Sequence, residues 1–262
     1  MSLHATVRGD GPAVILIHGL FGAGGNLGAL GRHLSSHFTV HQVDLPNHGR
    51  SPWTESLRME DLANSLMAYI DESVDGPFGL VGHSLGGKVA MQLALHHAAR
   101  VRALVVADIA PVSYAPSHDA VFSALNAVHQ AQVTSREEAM EILQRLLQEE
   151  SVRQFLLLSL ARSDDGVYRW RFNHRLLEAQ YDEVRAAVQG EAVNVPALLV
   201  YGEASGYVDE RGRAAALALF PRLRFAGIPG TGHWLHAEKP DTFNRIVGEF
   251  LLEQQRINGP TP

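Results

Sequence analysis

Apolar positions fall along this chain in two alternating rhythms. Ala13–Ile17, Phe38–Val43, Phe78–Val81, Ala103–Ala107, Pro196–Tyr201 and Leu223–Ile228 are short apolar runs bounded by turn residues, as buried strands are. Leu3–Val7 reads as one more short strand, with Gly9-Asp10-Gly11 as its turn. Between the runs, apolar residues recur at offsets of three and four. Met59, Leu62, Ala63, Leu66 and Ile70 share one face of a helix, and so do Phe243, Ile246, Val247, Phe250 and Leu251 within Asp241–Gln255. Helices are also expected over Leu27–Ser36, through Met91, Leu93, Ala94 and Leu95, and up to about Leu219. Strands that alternate with helices predict an α/β fold, a mainly parallel sheet flanked by helices on both faces.

One stretch breaks the alternation. From about Val112 to Val195 strand-like runs disappear, and helical patterns occupy Ala120–Ala131, Arg136–Glu149 and Leu176–Val188. The expected organisation is a core of residues 1–111 and 196–262 with a helical insertion at 112–195. Phe122, Phe155, Leu157, Trp170, Phe172 and Tyr181 would give the insertion an apolar inner face. The tail Ile257–Pro262 is expected to fray.

Composition narrows the partners. The 262 residues are 46% hydrophobic and 19% charged, with a formal net charge of −6 and both signs scattered. No basic patch marks a nucleic-acid footprint, and no apolar run is long enough to span a bilayer. The N-terminal residues lack the apolar core of a signal peptide, so the cytoplasm is the expected location. The absence of cysteine excludes disulfides, a thiol nucleophile and thiolate metal sites. The fourteen histidines are dispersed, with no H-E-x-x-H pattern, so no metal and no cofactor is expected.

The candidate chemistry gathers at the ends of the predicted strands. Gly82-His83-Ser84-Leu85-Gly86 matches G-x-S-x-G between an apolar strand and a helix. That context places a serine hydroxyl on a tight turn above a sheet. His18-Gly19-Leu20-Phe21-Gly22 follows another strand. Without the G-K-[ST] ending of a P-loop, it suits a backbone N–H donor to an oxyanion, Leu20 first and Phe21 in reserve. The Leu85 N–H is the second donor. Asp44, His48 and Ser51 sit too close in sequence for separate catalytic roles and read as turn and capping residues. Asp108, Ser205 and His233 each follow a strand end, where ligands gather in parallel sheets.

These residues resemble the alpha/beta hydrolases. The likeness rests on His18-Gly19-Leu20-Phe21, Gly82-His83-Ser84-Leu85-Gly86 and Gly232-His233-Trp234 in that order, and covers nearly the whole chain. Asn47-His48-Gly49, Asp108-Ile109-Ala110-Pro111 and His236-Ala237-Glu238-Lys239-Pro240 resemble the YbfF-type branch of small esterases, itself similar to mitochondrial abhydrolase-domain proteins. The resemblance implies a serine esterase with a helical cap over its pocket and a Ser–acid–His order. One departure stands out. Most of the superfamily carries a G-x-x-D acid after the strand that follows the cap, whereas Gly202 leads to Ser205. Asp108, at the end of the preceding strand, is therefore assigned as the acid. Ser205 is its auxiliary, a pairing that the branch is similar in having.

The expected reaction is acyl transfer to water on a small ester. Ser84 attacks, His233 is the base and Asp108 orients it. Phe21, Phe155, Trp170, Tyr181, Tyr207 and Trp234 are the expected substrate pocket. Arg153, Arg169, Arg171 and Arg175 raise the option of an anionic group such as an acyl-CoA thioester. A C–C hydrolase, lyase or perhydrolase on the same triad is the alternative reaction, and a non-catalytic ligand-binding member of the fold is the alternative class. The oligomeric state is not legible.

Overall fold

The structure is a computed structural model that describes residues 2–258. In chain order its elements are β1 (Ala5–Arg8), β2 (Ala13–Ile17), α1 (Gly28–Leu34), β3 (Thr39–Val43), α2 (Met59–Ser73), β4 (Phe78–His83), α3 (Leu85–His96), β5 (Val101–Ala107), α4 (Asp119–Ala131), α5 (Arg136–Leu146), α6 (Glu150–Leu158), β6 (Leu160–Arg162), β7 (Tyr168–Trp170), α7 (His174–Ala179), α8 (Tyr181–Arg185), β8 (Ala197–Gly202), α9 (Glu210–Leu219), β9 (Leu223–Ile228), α10 (Leu235–Glu238) and α11 (Pro240–Asn258).

Seven strands form one sheet in the order β1-β3-β2-β4-β5-β8-β9. Only the edge strand β1 runs antiparallel to its neighbour; the others pair in parallel and need crossovers, which the helices supply. The two-residue repeat of a strand divides the core. Ile15 and Ile17 face Leu62, Leu66 and Val89 of α2 and α3, whereas Val14 and Leu16 face Leu30, Phe243 and Val247 of α1 and α11. β4 is buried at all its positions, as a central strand covered on both faces must be.

Some expected boundaries move. The first strand is Ala5–Arg8 rather than Leu3–Val7, because it is cut to the length that pairs with β3. The expected helix from Leu27 opens as a 3-10 turn over Gly24–Leu27, with α1 following. α5 stops at Leu146, short of Glu149. Of the tail, Ile257 still belongs to α11, and 259–262 lie outside the described residues.

The segment between β5 and β8 is not purely helical. β6 and β7 pair antiparallel, a hairpin too short to show a two-residue rhythm in sequence. α6 was also not foreseen. The single helix expected over Leu176–Val188 is two short ones that end at Arg185. The residue at the break is engaged from outside the insertion. The half-buried Gln180 side chain reaches the segment before α2, where Oε1 accepts from the Leu57 N–H and Nε2 donates to the Glu55 carbonyl, each at 2.8 Å.

Candidate active site

The chain passes from β4 into α3 through Ser84, whose φ of 53° and ψ of −119° lie where L-residues are strained. The turn is held by the Ser84 N–H donating to the Ala107 carbonyl at 3.0 Å, and by the Gly87 N–H donating to the Ser84 carbonyl at 2.8 Å. It closes only without side chains at its flanks. A Cβ on Gly82 would come within 2.1 Å of the Gly86 carbonyl oxygen, and one on Gly86 within 2.3 Å of that of Ile17. The strained serine is thus presented by the packing of strand on helix.

Asp108 ends β5 in the left-handed region, φ 50°, and is wholly buried. Its carboxylate is enclosed by donors. Oδ1 accepts from the Gly202 N–H at 2.9 Å, while Oδ2 accepts from the Ser205 hydroxyl at 2.5 Å and lies 2.8 Å from Nδ1 of His233. The β8 loop therefore supplies a hydroxyl and a backbone N–H where the usual superfamily pattern has a carboxylate.

His233 is held on three sides. Its ring stacks on Tyr207 with centroids 4.1 Å apart, Nδ1 faces Asp108, and its carbonyl accepts from Nε2 of His83 at 2.8 Å. Tyr207 is held in turn, since its carbonyl accepts from the Tyr114 hydroxyl at 2.8 Å. His83 is wholly enclosed, and burial followed by the nearby His236 and His233 rings pulls its pKa well below the usual value. It is a neutral donor that fixes the histidine loop. Burial, aided by His233, brings His236 down to about 4, and its ring packs on His83 with centroids 4.4 Å apart. Both rings support the loop.

The loop after β2 passes directly over Ser84; a Cβ on Gly19 would lie 3.2 Å from the serine Cβ. His18 fixes its path. Nδ1 sits 2.7 Å from the Gly19 carbonyl and Nε2 accepts from the Leu45 N–H at 3.0 Å, which requires the neutral Nδ1–H tautomer. Burial lowers its pKa accordingly. Phe21 takes a positive φ of 62°, and its carbonyl accepts from the Ser159 hydroxyl at 2.8 Å. The Asp44–Ser51 segment is the turn the sequence predicted: Asp44 accepts from the N–H groups of Gly24 and Arg50, and the Ser51 hydroxyl donates to the Asp44 carbonyl.

A cavity of about 380 Å³ lies between these loops and the 112–195 insertion. Ser84, His233, Leu20 and Leu85 border it, together with the expected Phe21, Phe155, Tyr181, Tyr207 and Trp234. Trp170 does not. It is buried in the insertion's core, stacked on Phe172 at 5.5 Å, with its indole N–H donating to the Leu125 carbonyl at 3.0 Å. The hairpin turned it inward, and the hairpin was invisible in the sequence. Sequence reading also passed over His118, hydrogen-bonded to the Tyr181 hydroxyl, and Lys88. Lys88 had left a signal, as a lone charge inside the apolar pattern of α3. None of Arg153, Arg169, Arg171 or Arg175 borders the cavity. Arg153 donates to the Leu147 and Gln148 carbonyls, Arg169 pairs with Asp165 and Arg175 contacts His129. Among the described residues no cluster of metal ligands is present, and no helix is long and apolar enough to cross a membrane.

Comparison with known proteins places this architecture in a class. The family described as alpha/beta hydrolase fold matches residues 12–240, and the chain belongs to it. The chain is 40% identical to the esterase YbfF of Escherichia coli (strain K12), over 91% of this chain and 92% of that one. It is 34% identical to the sn-1-specific diacylglycerol lipase ABHD11 of Mus musculus, over 92% of this chain and 81% of that one. Among solved structures, a marine microorganism esterase superposes with a TM-score of 0.92 at 34% identity, covering 95% of this chain and 99% of that one.

Proposed function

We propose that the protein is a serine carboxylic ester hydrolase that works through an acyl-enzyme at Ser84. The esterase and lipase relatives support ester hydrolysis as the reaction class. The observation that carries the mechanism is the Asp108 carboxylate, which faces Nδ1 of His233 beside the cavity that Ser84 and His233 both border.

In the first half-reaction the Ser84 oxygen bonds to the ester carbonyl carbon while Nε2 of His233 takes its proton. The carbonyl oxygen becomes an oxyanion that the N–H groups of Leu85 and Leu20 receive, each contributing roughly 3 kcal/mol to lowering the barrier. Collapse breaks the bond to the alcohol, which leaves with the proton from His233. Water then repeats the sequence on the acyl-enzyme and releases the acid and free Ser84. Asp108 holds the imidazole tautomer and stabilises the imidazolium. Ser205 donates to the carboxylate and keeps it aimed. All these residues lie outside 112–195, which we assign as a cap that walls the acyl pocket. The apolar side chains at the cavity favour uncharged acyl groups; Arg153, Arg169, Arg171 and Arg175 do not border it, and Arg185, which does, is paired with Asp182 and the Tyr114 carbonyl, so the arginines give no support to an anionic thioester.

The test is turnover of p-nitrophenyl acyl esters of increasing chain length, with a fluorophosphonate probe to label the nucleophile. Labelling that disappears in Ser84→Ala, together with ester turnover, is expected. Turnover of a vinylogous diketone in preference to every ester would reassign the reaction to C–C hydrolysis. A wild-type protein that neither labels nor turns over would point to a binding role.

A further inference from the structure

Lys88 lies in an apolar helix with 2% of its surface exposed. Its ammonium has exchanged water for three backbone carbonyls: Val112 at 3.1 Å, Arg185 at 3.0 Å and Ala186 at 2.6 Å. The face of Tyr114 covers it from 4.8 Å. These carbonyls belong to the two segments by which the insertion leaves the core and returns to it. The segments are also joined to each other. The Tyr114 N–H donates to the Arg185 carbonyl at 3.0 Å, Nη1 of Arg185 donates to the Tyr114 carbonyl at 2.9 Å, and the Ala187 N–H donates to the Ser113 hydroxyl at 3.1 Å. Lys88 sits beneath this junction one helical turn from Ser84, whose carbonyl accepts its N–H at 3.2 Å.

An ammonium has three N–H donors and no acceptor. Three carbonyls exhaust it, so it has no donor left for a substrate anion although the side chain borders the cavity. Burying a charge is unfavourable unless it is fully paired, and here the pairing spans three separate parts of the chain. An apolar side chain would fill the space without linking them.

We propose that Lys88 is a positioning residue that ties both ends of the insertion to the nucleophile's helix and so sets the shape of the acyl pocket. The inference rests on the reading of Ser84 as nucleophile and of the insertion as cap. The reacting residues belong to the core, whereas Val121, Val152, Phe155, Leu156 and Val184 wall the cavity from the insertion. Release of the tie therefore weakens binding of long acyl groups more than it slows the chemistry. The tie also responds to pH. Burial, then the Arg185 guanidinium, pull the Lys88 ammonium down to about 7, against the carbonyls, which favour the charged form. A neutral amine has two donors for three carbonyls, so the junction loosens as pH rises past that point. Of the charged and titratable groups that face it, Tyr114 is raised by burial, away from this range, and Arg185 contributes a guanidinium.

The experiment compares wild type, Lys88→Met and Lys88→Arg on p-nitrophenyl acetate, butyrate and octanoate, with fluorophosphonate labelling of Ser84 in parallel. In Lys88→Met the KM for octanoate is expected to rise about tenfold while kcat falls less than about threefold, the signature of lost binding rather than lost chemistry. Tryptic cleavage after Arg185 accelerates, and Lys88→Arg lies between the two. In the wild type the octanoate KM rises between about pH 6 and 9, a measurement that needs no variant to fold. Wild-type KM values in Lys88→Met, a loss confined to kcat, or a flat wild-type KM across that range would overturn the proposal. A wild type that neither labels at Ser84 nor turns over would remove the hydrolase reading and this inference with it.

Discussion

Nδ1 of His233 and Oδ2 of Asp108 stand 2.8 Å apart, although 125 residues separate them in the chain. The carboxylate reaches the imidazole from the end of β5, one strand away from where the usual G-x-x-D acid would stand. It is also bonded to the loop that lacks that acid, through the Gly202 N–H and the Ser205 hydroxyl. The histidine thus has a buried carboxylate partner on the strand next to β8.

Asp108→Asn is expected to lower kcat by about 10⁴, the consequence of holding the base in the wrong tautomer. Asp209→Asn should change little, because Asp209 caps α9 by accepting from the Gly212 N–H at 2.7 Å and asparagine caps equally well. Glu203→Gln should also be near neutral. Near-normal turnover in Asp108→Asn, measured on a p-nitrophenyl ester, would remove Asp108 from the mechanism.

Ser205→Ala deletes one hydrogen bond to a charged acceptor and leaves the other two contacts of Asp108 in place. Such bonds are worth roughly 1.5–3 kcal/mol, so kcat should fall by about ten- to a hundredfold, less than for Asp108→Asn. A loss as large as that of Asp108→Asn would give Ser205 a direct role. An unchanged kcat would make it a turn residue only.

Trp170 and Phe155 should separate stability from binding. Trp170→Phe removes the indole's hydrogen bond to the Leu125 carbonyl inside the insertion's core, at about 1 kcal/mol of stability, and should leave KM unchanged. Phe155→Ala, at the cavity wall, should raise KM for long acyl esters and alter the urea midpoint less. A KM effect from Trp170→Phe would return that residue to the pocket.

Acid should destabilise the fold through its buried histidines. His48 is held down to about 3 by burial, with the His18 ring second, and His236 to about 4 by burial, with His233 second. Unfolded histidines take protons below about pH 6.5, whereas these do not while the fold persists, so the unfolded state binds more protons. Stability present above that pH is therefore lost as pH falls toward the folded values. Urea midpoints measured at about pH 7 and 4.5 should show the drop. His48→Phe should flatten it, and parallel curves for variant and wild type would assign the acid sensitivity elsewhere.

Much of the core was legible because its signals are local. A buried strand such as Ala13–Ile17 is apolar whatever its neighbours are, and G-x-S-x-G needs its glycines because the turn is closed by the adjacent strand and helix. The insertion resisted for the opposite reason. Gln180, at the break between α7 and α8, bonds to Leu57 and Glu55 far back in the chain, and Trp170 lies in a hairpin too short to leave a rhythm.

The sequence by itself determined the parallel α/β core, the strand-end positions of Ser84, Asp108 and His233, and the missing carboxylate at Ser205, because periodicity and turn chemistry act within a few residues. Only the tertiary structure decided which oxygen of Asp108 faces His233, which aromatic rings border the cavity and where the three N–H groups of Lys88 point. Those are distances between segments far apart in the chain, and they exist only once strands β5 and β8 lie side by side and the insertion has folded back over them.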